Sequence, residues 1–117
     1  MTKNLQIHVG EGFDKAAKRV AAAWHRAERG EVVGEDHLTF TSWDALAGVM
    51  TSKRFELLRH LHRNPAGSIA ELARSLKRDY KRVHEDVEAL AAAGLIERDK
   101  AGLRADYDEI RTIIAIG

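Results

Sequence analysis

The sequence predicts an α+β fold that is mostly helical: a run of helices closed by a β-hairpin, with a strand-helix-strand extension in front. Three observations predict it. Apolar residues recur at helical spacing through much of a 117-residue chain that holds a single proline. Alternation of period two is confined to short stretches. Alanine, the strongest helix former, supplies 18 of the 52 residues counted as hydrophobic.

Taken in order, Lys3 to Val9 sets Leu5, Ile7 and Val9 against Asn4, Gln6 and His8, the pattern of a half-buried strand. From Phe13 to Arg29, the positions Phe13, Ala16, Ala17, Val20, Trp24 and Ala27 form a helical stripe, and Gly30 stands where a left-handed C-terminal cap belongs. His37 to Thr41 alternates again as a short strand. Ser42 then begins a helix carrying Trp43, Leu46, Ala47 and Met50 on one face.

Thr51 is placed to cap the next helix, whose buried stripe is expected to be Phe55, Leu57, Leu58 and Leu61, with Asn64-Pro65 ending it. Ser68-Ile-Ala-Glu71 reads as a capping box opening a short helix with Ile69, Leu72, Ala73 and Leu76. Four residues, Lys77 to Tyr80, separate Leu76 from the next run, and Asp79 caps a longer helix, 80–93, with Val83, Val87 and Leu90 inward, which Gly94 closes. Residues 95–107 read as strand, turn and strand. The isoleucines at 110, 113, 114 and 116 fit a last strand or a short helix equally well. The expected partition is an extension over 1–50, a helical domain with its hairpin over 51–107, and a tail over 108–117.

The chain carries nineteen Lys and Arg against eighteen Asp and Glu, a net charge of +1. That balance conceals polarity. Residues 1–50 hold six basic and seven acidic side chains, 51–82 nine and three, and 83–117 four and eight. A basic segment between acidic flanks is the charge map of a polyanion binder. Without cysteine there is no disulfide framework and no thiolate site. The first ten residues lack the apolar core of a signal peptide, and no apolar run is long enough to span a bilayer, so the expected setting is cytoplasmic, without membrane contact.

Helix, helix, tight turn, helix and hairpin over 51–107 is the order of a winged helix-turn-helix, whose third helix enters the DNA major groove while the hairpin wing lies along the backbone. The residues carry a resemblance as well. Ser-Ile-x-Glu-Leu-Ala (Ser68 to Ala73), Lys-Arg-Asp-Tyr-Lys-x-Val-x-x-Asp-Val (Lys77 to Val87) and Leu-x-x-x-Gly-Leu-Ile (Leu90 to Ile96) resemble the MarR-like winged-helix predicted transcriptional regulators, and within these a small bacterial and archaeal family. Upstream, Ala23 to Gly30, Thr39 to Leu46 and Thr51 to Leu58 extend the resemblance over nearly the whole chain. It implies DNA binding, and for some members an antitoxin-like role beside a toxin.

On helix 80–93 the face opposite Val83, Val87 and Leu90 begins with Lys81 and Arg82, beside His84 and Glu85. These four are the expected base-contacting residues, since arginine suits guanine O6/N7 and glutamate suits cytosine N4. Backbone contacts are expected from Ser68, Arg74, Lys77, Arg78, Tyr80, Lys53, Arg54, Lys100 and Arg104. With five or six phosphates neutralised, affinity should fall with log salt at a slope of roughly −5. Asp86 reads as an ion-pair partner for a nearby arginine, and Trp24 and Trp43 as core or dimer residues.

His60-Leu-His62 does not make a metal site, because positions two apart do not share a helix face. No catalytic constellation and no cofactor motif stands out, so an enzyme is not expected. The predicted function is a DNA-binding transcriptional regulator, a repressor or autoregulator. The thin core of only 34 large hydrophobic side chains points to a homodimer on a roughly palindromic site, with residues 3–30 as a dimerisation or partner surface. The rival functions are an antitoxin whose main act is to cover a toxin partner, and an RNA-binding winged helix.

Overall fold

The structure is a computed structural model and describes residues 3–10, 13–28 and 35–116. Its elements run β1 (Asn4–Val9), α1 (Phe13–Glu28), β2 (Glu35–Phe40), α2 (Trp43–Val49), α3 (Ser52–Arg63), α4 (Ile69–Leu76), α5 (Tyr80–Ala92), β3 (Glu97–Asp99), β4 (Gly102–Arg104) and β5 (Glu109–Ile114). This is an α+β architecture with a strand-helix-strand start. Gly30, the expected cap of α1, lies outside the described residues. No helix among the described residues is long and apolar enough to cross a membrane.

The chain divides into two compact units, one made of residues up to 46 together with 107 onward, the other of residues 47–106. In the first, β1 is the middle strand of a three-stranded sheet of order β2-β1-β5. Both pairings are parallel, Asn4 lying opposite Glu35 on one side and opposite Glu109 on the other. The isoleucine-rich tail is therefore a strand, and it joins the N-terminal extension. Leu5, Ile7 and Val9 are buried as the alternation requires. His8, expected on the polar side, is buried too, because its Nε2 stands 2.9 Å from Nδ1 of His37 under a stacked ring.

Helix α1 departs from expectation. Ala17, Val20 and Trp24, half of its expected buried stripe, are exposed, and the side chains of Phe13, Ala16 and Ala27 lie outside the described residues. Trp43 and Ala47 of α2 are exposed as well, leaving Leu46 as its buried residue. Strand β2 starts two residues earlier than its alternation suggested, at Glu35, and ends at Phe40.

In the second unit each helix start follows its capping chemistry. Thr51 accepts the N–H of Arg54, Ser68 that of Glu71, and Asp79 that of Arg82. The Glu71 carboxylate reaches back one residue further than a capping box predicts, to the N–H of Gly67 at 3.0 Å. Leu57, Leu58 and Leu61 of α3, Leu72 and Ala73 of α4, and Val83, Val87 and Leu90 of α5 form the core with Leu95, Ile96 and Leu103. Phe55 is 45% exposed and belongs to the surface, its ring beneath Arg59 instead of in the stripe. Helix α5 ends with Gly94 at φ +87° while the N–H of Leu95 returns to the carbonyl of Leu90, a Schellman closure.

The hairpin strands are shorter than alternation suggested, three residues each, joined through Lys100 and Ala101. A further segment supports them. Ala66 exchanges both backbone hydrogen bonds with Leu103. Gly102, at φ +125°, lies so close to the Ala66 carbonyl that any Cβ there would collide with it.

Candidate nucleic-acid interface

Three residues, Lys77, Arg78 and Asp79, connect α4 to α5. Lys77 adopts the left-handed conformation, φ 55° and ψ 45°, which lets its own N–H close on Arg74 and that of Arg78 on Ala73. A lysine held there is strained by about 1 kcal/mol relative to glycine. The turn is tight enough to set the start of α5 beside the end of α4.

Burial fixes the rotation of α5. Val83, Val87 and Leu90 are fully enclosed, so Lys81, Arg82 and Glu85 stand on the exposed side. None of these three side chains has an ion-pair or side-chain hydrogen-bond partner among the described residues. His84 is half-buried: its ring lies 5.9 Å from that of Tyr80 and its Nε2 3.7 Å from Glu88. Tyr80 is 53% exposed. Asp86, between the two faces, binds Arg54 through one carboxylate oxygen at 3.0 Å and Arg78 through the other at 2.8 Å.

That clamp occupies two of the expected phosphate contacts. Arg54 also donates to the carbonyls of Gly48 and Val49 at the end of α2, which makes its guanidinium a structural tie. Arg104 is similarly engaged, 2.9 Å from Glu97, 2.5 Å from Asp99 and 3.1 Å from Asp106. The hydrogen bond to Asp99 and its charge raise the Arg104 pKa above the ordinary value, and the same bond holds the Asp99 carboxyl below its own. The remaining cations differ. Arg74, Lys77 and Lys100 are exposed and no side-chain partner holds them among the described residues, while Lys53 meets only Glu56, at 3.8 Å.

Between the start of α4, Tyr80 and the hairpin lies a shallow groove of about 340 Å³, lined by Ser68, Ile69, Ala70, Tyr80, Arg98 and Leu103 among others. Arg98, not singled out by the sequence, ends here and bonds Glu88 at 2.7 Å, which lowers the Glu88 pKa from its ordinary value. Only a contact between α5 and the hairpin reveals it. His60 and His62 turn to different partners, the Ser75 hydroxyl and the Ala105 carbonyl. No cluster of three His, Cys, Asp or Glu among the described residues is placed to hold a metal ion.

Residues 49–112, more than half the chain, match the HVO_A0114 family. The chain belongs to the HVO_A0114 family. No curated protein and no solved structure matches it. The family match begins at the end of α2 and extends into β5 as far as Thr112. In this HVO_A0114 member it takes in the clamp, the turn, the exposed face of α5 and the hairpin together.

Proposed function

We propose that this HVO_A0114 member is a sequence-specific regulator of transcription of the MarR-like winged-helix kind, binding double-stranded DNA with α5 in the major groove and the β3-β4 hairpin as its wing. One observation carries the reading. The first turns of α5 present Lys81, Arg82 and Glu85 outward without partners among the described residues, on a helix whose other face is locked by buried valines and a leucine. A helix held this firmly loses little backbone freedom on docking.

In this reading Arg82 and Lys81 read guanine edges and Glu85 accepts from cytosine N4. Arg74 and Lys77, at the turn, meet phosphates on one side of the groove, and Lys100 meets them from the wing tip. Ser68 and Tyr80 line the groove beside the hairpin and offer hydroxyls to a phosphate there. His84, tucked against Tyr80 and Glu88, supports the helix and leaves base reading to its neighbours. Arg54, Arg78 and Arg104 act on DNA only through the parts they hold in place. The protein represses by covering a promoter, its own among them, and works as a homodimer in the cytoplasm.

The test is fluorescence anisotropy of the purified protein on the duplex upstream of its own gene, against scrambled duplex and against RNA of the same sequence, across a salt series. Preferred binding to the upstream duplex is expected. Equal affinity for the scrambled duplex, preference for RNA, or no binding at low salt would overturn the reading.

A further inference from the structure

We propose that the outer edge of β5 is a docking site for a second copy of this chain, pairing β5 with β5 antiparallel about a two-fold axis to make one six-stranded sheet. β5 is the last strand of its sheet, and among the described residues nothing pairs with its outer side. Ile113 and Ile114 point to opposite faces of the sheet, as neighbours in a strand must, yet they are 50% and 53% exposed. A cover laid on one face would reach only one of them. A strand laid along the edge reaches both.

The backbone agrees. The N–H of Ala115 donates to Val9 and that of Asp108, in the bend before the strand, to Lys3; along the unbroken register of 109–114, alternation back from Ala115 turns the odd residues to β1 and leaves Ile110, Thr112 and Ile114 with N–H and C=O outward. A two-fold axis that continues the sheet stands perpendicular to it and keeps its faces, so each residue meets one of the same parity. Centring on Arg111 sets two guanidinium groups against each other, and centring on Ile110 leaves Ile113 and Ile114 beyond the overlap. Centring on Thr112 avoids both. Thr112 then meets Thr112, each Ile110 meets an Ile114, and each Arg111 lies opposite Ile113 of the partner subunit, with outward hydrogen-bonding groups aligned.

The occupant is this chain because that register is self-complementary and closed. Joining β5 to the β2 edge of another copy would be head-to-tail and would run on into filaments. The proposal does not rest on DNA binding.

Sedimentation of the full chain without DNA tests it. A species of twice the chain mass is expected, dissociating on dilution. Thr112→Pro removes only an outward N–H and should weaken association roughly tenfold or more while leaving the circular dichroism intact. Ile113→Lys, facing the Arg111 of the partner subunit, should do the same, whereas Ile113→Glu should keep the dimer by pairing with it. A wild-type chain that stays monomeric, a mass that grows past two copies, equal behaviour of the Lys and Glu variants, or a folded Thr112→Pro that remains dimeric would each overturn it.

Discussion

Arg54 donates through Nε to Asp86 at 3.0 Å, fastening the first turn of α3 to the middle of α5. Arg78 takes the other carboxylate oxygen from the turn before α5. One acid thereby holds the helix that carries Lys81 and Arg82 against both of its neighbours.

Replacing Asp86 by Asn leaves two guanidinium groups, at 20% and 22% side-chain exposure, without their counter-charge. For a fully buried pair the loss would be about 3–5 kcal/mol, and access to water reduces it to about 1–3 kcal/mol. The midpoint of urea unfolding should fall at constant slope. An unchanged midpoint would show the clamp to be ornamental.

Lys77→Gly separates folding from binding. Relief of the left-handed strain, about 1 kcal/mol, is offset in part by the greater freedom of glycine in the unfolded chain, so thermal stability should hold or rise slightly. DNA affinity should fall, with one phosphate contact gone. A parallel loss of stability and affinity would contradict the role given to this lysine.

The salt dependence should be shallower than the sequence suggests. With Arg54, Arg78 and Arg104 engaged by carboxylates, about four cations per protomer remain for phosphates, and the slope of log affinity against log salt becomes roughly −3.5 per protomer. Within it, Arg82→Ala should cost about 1–3 kcal/mol and relax sequence preference, while Lys100→Ala weakens all duplexes alike. A slope near −6 would mean that the three engaged arginines let go of their acids on DNA.

The hairpin should stay fastened in mild acid and loosen only in stronger acid. Glu88 and Asp99 have folded pKa values below their ordinary 4.5 and 3.8. Groups shifted down stabilise the fold fully above the ordinary value, and that contribution disappears as pH falls through the depressed one. The Arg98–Glu88 and Arg104–Asp99 pairs should therefore persist at pH 5 and break only as pH falls below the ordinary carboxylate values. Amide shifts of residues 97–104 followed by NMR would report it, and loss of those shifts near neutral pH would refute it.

How far the sequence reveals the molecule depends on the range of the interaction that decides each part. Caps are local, so Thr51, Ser68 and Asp79 could be read directly, and the 3.6-residue period placed Val83, Val87 and Leu90 inward. The clamp was half legible: Asp86 could be read as an arginine's ion-pair partner, but nothing in a sequence says that Arg54, 32 residues away, is one of the arginines it meets. The stripe of α1 misleads for a related reason: Val20 and Trp24 have the spacing of core residues but are exposed in a single chain. The tail stayed ambiguous because periodicity alone cannot separate a short apolar strand from a helix. Pairing with β1 resolves it.

That pairing also sets an order of events during synthesis. Asn4 finds its partner Glu109 only after 104 intervening residues have been made, whereas residues 47–106 form a unit from one continuous stretch. The helical unit can fold as it leaves the ribosome, while the first strand waits for the last. Long-range closure of this kind is slow. A nascent chain halted before residue 109 would already hold the whole of α5 and its turn, yet its first strand would lack one of its two flanking strands.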